Sequence, residues 1–178
     1  MKKLLVVLCA VLLFTGCSCS LNDTTSEDAV VTFFEKYKDK DETIMSQLED
    51  VIKGEELTDT AKEEYRGLLE KQYEEFDYEI KNIKQDENEA TATVEVTVLN
   101  YRSGILLAEE YLTNNPKEFN DENGMFSDEK YTDYKIDQMS SVTDTTSHTI
   151  ELHLTKENGL WKVDQLSSDD LSKLHGLY

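Results

Sequence analysis

The segment at residues 90–98 reads ATATVEVTV, and its two-residue alternation decides the fold class. Successive side chains of a strand point to opposite faces, so the alanines and valines at even positions form one apolar face. The threonines and Glu95 form the other, polar face. A strand with one apolar and one polar face is typical of an antiparallel sheet that is covered on one side. The segment therefore predicts a long antiparallel strand packed against a core.

Two hairpins are predicted from the same kind of pattern. In the first, Tyr78 and Ile80 alternate with charged residues and oppose the valines across a turn at residues 86–88. In the second, residues 149–154 alternate again and are followed by Asn158-Gly159, a strong short hairpin signal because both residues accept positive φ. The chain is thus expected to contain at least four antiparallel strands.

Helical periodicity occupies much of the remaining chain. Apolar residues recur at helical spacing over residues 29–37, 41–53 and 61–76, which predicts three amphipathic helices ahead of the sheet. Thr60 with Glu63 is interpreted as the capping box of the third helix. The predicted fold class is α+β, with N-terminal helices on an antiparallel sheet.

A helical insertion is expected between the two hairpins, over about residues 102–142. One helix follows residue 105, and Ser127 is the expected cap of another. The apolar side chains of the first helix are expected to cover the sheet, with a partner surface as the alternative: Ile105, Leu106, Leu107 and Leu112. A short helix after Ser167 or Ser168 is expected to end the chain.

Residues 1–17, MKKLLVVLCAVLLFTGC, have the pattern of an export signal. Two lysines precede an apolar stretch, and the small residues Thr15 and Gly16 precede Cys17. The apolar stretch is shorter than the roughly 20 residues that a membrane span needs. The segment therefore predicts export from the cytoplasm.

The end of this signal, LFTGC at residues 13–17, resembles the lipobox of bacterial lipoproteins, with Phe14 where that family usually has leucine. The resemblance implies that residues 1–16 are removed as a signal peptide and that Cys17 receives a diacylglyceryl thioether. Residues 17–25 would then be a lipidated tether on the extracytoplasmic face of the membrane, and residues 26–178 a single domain. The alternative is an ordinary secretory signal that is cut nearby and releases the protein.

Charge and cysteine content narrow the range of partners. Loss of the signal leaves 16 Lys and Arg against 38 Asp and Glu, a formal charge of −22. Phosphate backbones are bound by Lys and Arg, so nucleic acid is not an expected partner. All three cysteines lie in the first 19 residues. The stability of the domain must therefore come from an ordinary core and not from disulfides.

The C-terminal hairpin, ENGLWKVDQLS at residues 157–167, and the helices before the strands together resemble the nuclear-transport-factor-2-like cone. More narrowly, they resemble small lipoproteins of Gram-positive bacteria that carry such domains and have no assigned function. The resemblance implies a curved sheet that wraps a helix and leaves a pocket at its open end. The helical insertion departs from the minimal cone, which leaves the strand order open. The candidate pocket lining is Tyr65, Tyr73, Tyr78 and Trp161.

Catalytic and metal sites are not expected. His148 and His153 point to opposite faces of one strand, and His175 lies in the terminal helix, so three convergent zinc ligands are lacking. The loop at residues 119–130 has Gly124 where an EF-hand needs glycine, but Phe119 and Lys130 stand at its two essential carboxylate positions. The acids of the strands fall on polar faces, where a tuned general base is not expected. The sequence predicts no enzyme and no cofactor, but an envelope binding module whose partner is a protein or a small apolar ligand; a pocket enzyme is the less favoured alternative.

Overall fold

A computed structural model of the chain describes residues 24–54 and 57–178. The predicted signal peptide at residues 1–16, the predicted lipidation site Cys17 and most of the predicted tether lie outside these residues. Within them, the chain forms six α-helices, one short 3-10 helix and four strands. Their order is α1 (Ser26–Lys38), α2 (Glu42–Gly54), α3 (Asp59–Glu75), β1 (Asp77–Gln85), β2 (Glu89–Leu99), α4 (Tyr101–Asn114), the 3-10 helix (Pro116–Phe119), α5 (Asp128–Ser140), β3 (Thr145–Glu157), β4 (Leu160–Val163) and α6 (Ser168–Leu174).

The strands form one antiparallel sheet in the order β1-β2-β3-β4, so the predicted α+β class and both hairpins are confirmed. Tyr78 pairs with Val96 and Ile80 with Val94, as the alternation predicts. The β3-β4 turn has φ of 52° at Asn158 and 85° at Gly159, as a tight hairpin turn requires. The long pairing of β2 with β3 joins the two hairpins into one sheet.

The core lies between one face of this sheet and the helices. Val94 and Val96 of β2 are fully buried, as are Val30 and Phe34 of α1. The ring of Phe34 stacks on that of Tyr78 with 4.3 Å between centroids. Burying apolar side chains of this size stabilises a fold by roughly 1.5–3 kcal/mol each. The helices therefore bind the apolar face that the sequence pattern predicts.

The N-terminal end of α1 and the residues just before it are hydrogen-bonded to both edges of the sheet. The Ser26 hydroxyl donates to Gln85 Oε1 at the end of β1, at 2.7 Å. The Trp161 N–H of β4 donates to Thr24 Oγ1, just before α1, at 3.3 Å. A sheet whose two edges both reach one helix is curved around that helix, which agrees with a cone-like arrangement.

Two local expectations for the N-terminal helices are wrong. The cap of α3 is Thr58, whose hydroxyl accepts from the Ala61 N–H, because the N-cap acceptor must precede the first turn and Thr60 lies within it. In α2, Val51 is 37% exposed although its apolar character suggested burial. The buried stripe of α2 follows Ile44, Leu48 and Ile52 instead.

The helical insertion packs mainly on itself. The buried face of α4 includes Gly104 and Ala108, and Gly104 lies directly against the α5 backbone at Gln138. Leu106 and Leu107 are 49% and 56% exposed. The expectation that these leucines cover the sheet is therefore wrong, because α4 turns its small residues and not its leucines toward its neighbour.

Gly104→Ala is expected to separate α4 from α5. A Cβ at this position would lie 2.8 Å from the Gln138 carbonyl oxygen and from the Met139 Cα, both backbone atoms that cannot rotate away. Overpacking of this kind costs about 1–3 kcal/mol, which chemical denaturation would measure. Gly67→Ala, in the middle of α3 with nothing within 4 Å of the new Cβ, is the control and should be neutral or slightly stabilising. Equal losses from both variants would contradict the close α4–α5 packing.

Candidate functional site

A groove of about 620 Å³ runs along α1, between α2 and the segment from β4 to α6. We call it the α1 groove. Its volume is within the range of about 300–1,000 Å³ that is usual for small-molecule sites. Both apolar and polar side chains line it: Phe33, Lys36, Tyr37, Thr43, Ile44, Gln47, Asp50, Val51, Val163, Asp164, Gln165, Leu166 and Leu171.

A second cavity, of about 340 Å³, continues from the groove between α1 and β4. We call it the β4 cavity. Phe33, Lys36 and Val163 line both spaces, so the two adjoin. The remaining lining residues are Thr24, Ala29, Thr32, Leu160, Trp161 and Lys162. Two lysines therefore border this cavity, and its lining includes no carboxylate.

A small recess of about 30 Å³ adjoins the α1 groove and reaches a buried His–Tyr pair. The Tyr73 hydroxyl and His175 Nε2 are 2.9 Å apart, and His175 is only 5% exposed. Burial lowers the pKa of His175 to about 4 and raises the pKa of Tyr73 well above its ordinary value. Burial also raises the pKa of the neighbouring Tyr37 to about 12. All three side chains are consequently neutral at pH 7, and none is tuned to exchange a proton there.

The sequence predicts that His175 lies in the terminal helix but not that its side chain is buried. It caps the C-terminal end of α6, where its backbone N–H donates to the Leu171 carbonyl oxygen. The spacing could have indicated this burial, because His175 follows the apolar Leu171 by four residues and therefore lies on the same helical face. The partner hydroxyl of Tyr73 is more than 100 residues away in sequence, and only the fold brings it near.

The four side chains predicted to line a pocket do not line one common cavity. Tyr73 lines the recess and Trp161 the β4 cavity, which communicate through the α1 groove. Tyr65 lines a separate apolar cavity of about 140 Å³ beside the insertion, with Ile105 and Met139 among its neighbours. Tyr78 stacks on Phe34 in the core, as described above. The proposed lining is therefore distributed around the helical layer.

The carboxylates with shifted pKa values are stabilised in their charged form at the surface. The Thr25 hydroxyl and backbone lower the pKa of Asp28, and hydrogen bonds from the Arg66 guanidinium lower that of Glu49. Backbone N–H groups of its own loop lower the pKa of Asp121.

Across the described ranges, no group of three or more His, Cys, Asp or Glu side chains is arranged to hold a metal ion. No helix in this part of the chain has the length and apolarity to cross a membrane.

No protein-family model, curated protein or solved structure matches the chain. Its class is therefore defined by its own structure: an α+β protein whose four-stranded antiparallel sheet is covered by helices on one face. Within residues 24–54 and 57–178, the α1 groove and the adjoining β4 cavity together have the size and lining of a binding site.

Proposed function

We propose that the chain is a lipid-anchored binding module of the cell envelope. Cys17 holds it on the extracytoplasmic face of the membrane, and the α1 groove binds a partner protein. The observation that carries this proposal is the groove itself, an open space of about 620 Å³ lined by both apolar and polar side chains, next to a second space of about 340 Å³. The lipobox-like sequence at residues 13–17 supports the anchor.

The end of the predicted tether lies beside the β4 cavity, because the Thr24 hydroxyl accepts a hydrogen bond from the Trp161 N–H there. A tether from Cys17 to Thr24 reaches at most about 3.5 Å per residue, or roughly 25 Å in all. The acidic domain is repelled by anionic headgroups over a Debye length of about 8–10 Å. The β4 cavity is thus held close to the membrane but off its surface, which suits a partner embedded in or attached to the same membrane.

Binding is favoured over catalysis by the titratable groups of the site. The pKa of His175 and that of Tyr73 move away from neutrality in opposite directions. Asp50 and Asp164, the acids of the α1 groove, are exposed to solvent. Neither is therefore desolvated as a tuned general base would be. A small apolar ligand is the alternative occupant, and the volume of the groove is the observation that favours it.

Cys17→Ala is expected to abolish acylation and to release the protein from the membrane fraction. A thioether-linked lipid requires the sulfur of this residue, and two or more acyl chains are what make such an anchor stable. Metabolic labelling with a palmitate analogue, followed by fractionation, measures both effects. Cys19→Ala, two residues away, is the matched control and should keep the label. A labelled, membrane-bound Cys17→Ala protein would refute the anchor.

The nature of the partner is tested by photo-crosslinking in intact cells. A photoreactive residue at Gln47, exposed on the wall of the α1 groove, is compared with one at Thr149, exposed on the outer face of the sheet. The proposal expects a protein adduct from position 47 that position 149 does not give. An adduct with the mass of a small molecule would favour the alternative occupant. Identical adduct patterns from both positions would contradict a binding role for the groove.

A further inference from the structure

We propose that the β4 cavity binds an extended, acidic peptide segment of the partner, which adds to the sheet as a fifth strand along β4. The inference rests on the proposed function and names the chemistry of its partner. It depends on three features: the free edge of β4, the second wall supplied by α1, and the charge of the cavity.

β4 is an edge strand, because the sheet order ends with it. The Asp164 N–H donates to the His153 carbonyl oxygen at 2.8 Å, across the Leu154–Val163 pair. This bond makes Leu154–Val163 a non-hydrogen-bonded pair, so the N–H and C=O of Val163 point away from β3. By the same alternation, the N–H and C=O of Trp161 also point outward.

Most of these outward N–H and C=O groups of β4 have no hydrogen-bond partner among the described residues. The Trp161 N–H donates to the hydroxyl of Thr24, a side-chain oxygen that stands where the carbonyl of an added strand would stand. Among the described residues, no hydrogen-bond partner is found for the Val163 N–H or for the two outward carbonyl oxygens. An extended peptide would satisfy these groups and replace the threonine hydroxyl.

Helix α1 supplies the other wall of the cavity. Ala29, Thr32 and Phe33 face β4 across a space of about 340 Å³. Every second side chain of a strand along β4 would point into this space, since strand side chains alternate. A groove between a helix and an edge strand thus offers both backbone pairing and a pocket for side chains.

The charge of the cavity selects the peptide. Asp and Glu outnumber Lys and Arg by 38 to 18 in the chain, yet Lys36 and Lys162 border this cavity without an acid in its lining. Lys36 has no ion-pair partner within the part of the chain that the structure describes, and Lys162 has only an exposed contact with Glu157 at 3.1 Å. Exposed pairs of that kind contribute little, so both cations are available to carboxylates of a partner.

The opposite edge of the sheet lacks this combination. β1 carries a bulge between Ile80 and Asn82, and bulges discourage pairing at a sheet edge. Lys81 is already bound by Glu79 and Glu95, at 2.6 and 3.1 Å. The geometry therefore favours β4 over β1 as the edge that receives a strand.

The test uses the full acylated protein in detergent micelles and a defined peptide probe. The probe is the blocked hexapeptide TVEVTV, which forms strands readily and carries one carboxylate. Its controls are TVKVTV, with the charge reversed, and TVEVTV with alternate backbone nitrogens methylated. Trp161 is the single tryptophan of the chain, so its fluorescence reports directly on the β4 edge. Hydrogen exchange of the Val163 amide reports on backbone pairing.

TVEVTV at millimolar concentration is expected to change Trp161 fluorescence saturably and to slow exchange of the Val163 amide at least severalfold. Lys36→Glu should weaken binding at least fivefold, and TVKVTV should bind more weakly than TVEVTV. Val163→Pro should abolish binding while the protein stays folded, because proline is tolerated where the N–H points away from the sheet. Lys117→Glu, exposed in the short 3-10 helix of the insertion and absent from the lining of both spaces, is the charge-matched control and should leave binding unchanged.

Three results would overturn the strand-addition proposal. They are no saturable binding of TVEVTV, equal binding of the methylated peptide, or binding without protection of the Val163 amide. A protein adduct at position 47 together with any of these results would leave the binding module intact and reject only the fifth strand. Loss of the adduct and of membrane attachment would instead reject the proposed function.

Discussion

Gly176→Ala should lower the free energy of unfolding by about 3 kcal/mol or more, which places it among the most damaging single substitutions. A Cβ at this position would lie 2.0 Å from the carbonyl oxygen of Leu99, closer than any contact between nonbonded atoms allows. Gly176 also has φ of +71°, a region that residues with a Cβ rarely adopt. Its carbonyl oxygen accepts from the Arg102 N–H at 2.8 Å, so the backbone cannot move freely to relieve the clash.

Gly124→Ala separates the two causes of this effect. Gly124 has φ of +78°, but nothing lies within 4 Å of the Cβ that alanine would add. Its substitution should therefore cost only the backbone strain, about 1 kcal/mol. Urea denaturation of both variants measures the difference. If the two variants lose the same free energy, the contact of Gly176 with Leu99 is not what holds the C-terminal segment to the sheet.

Acidification is expected to destabilise the domain through His175. Its pKa of about 4 in the folded state lies below the ordinary histidine value of about 6.5, so the unfolded state binds the proton more readily. Stability linked to this residue is therefore complete above pH 6.5 and is lost as the pH falls toward 4. Since a tenfold change in proton affinity is worth about 1.4 kcal/mol, a pKa lowered to about 4 makes this contribution roughly 2–3 kcal/mol.

His175→Gln is the variant that isolates this effect. Glutamine keeps a polar group near the Tyr73 hydroxyl but does not titrate, so the variant should lose roughly 2 kcal/mol less stability than the parent between pH 7.5 and 4.5. Surface carboxylates with lowered pKa values, such as Glu49, also contribute less to the free energy of unfolding at low pH. That loss is the same in both proteins and cancels in the comparison. Denaturation curves at pH 7.5, 5.5 and 4.5 provide the measurement. Parallel losses in the two proteins would show that His175 is not buried as a neutral group.

The same buried histidine links the C-terminal segment to the candidate site. Tyr73, its hydrogen-bond partner, lines the recess that adjoins the α1 groove. Protonation of His175 would therefore alter its hydrogen bond with Tyr73 in the recess that adjoins the groove. A partner bound in the groove should in turn raise stability against acid, because a ligand that binds only the folded state stabilises it.

Local patterns predicted the elements well because their causes are local. The alternation at residues 90–98 predicts β2 and its buried face, and Asn158-Gly159 predicts the final turn, since both depend on side chains a few residues apart. The Ser127 cap of α5 is confirmed for the same reason. The predicted cap of α3 was wrong because Thr58 and Thr60 are chemically equivalent, and only the residue at which the helix begins selects between them.

Packing between distant segments was predicted poorly. Leu106 and Leu107 were expected on the sheet because they are apolar, but both are exposed. Apolar character alone does not determine which neighbour a helix packs against. The contact that decides it is made by Gly104, whose lack of a side chain lets α5 approach. Likewise, the four aromatic residues proposed for one pocket could not be assigned to separate cavities without knowing how the helices cross the sheet.

By itself, the sequence determined the α+β class, the two hairpins, the faces of the strands and the acidic character of the domain. These follow from periodicity, turn chemistry and composition, which act over a few residues or over the chain as a whole. Only the tertiary structure decided that β4 ends the sheet beside α1, that Lys36 and Lys162 border one cavity, and that Tyr73 meets His175. Those relations join residues far apart in sequence, and their geometry depends on the curvature of the sheet around α1.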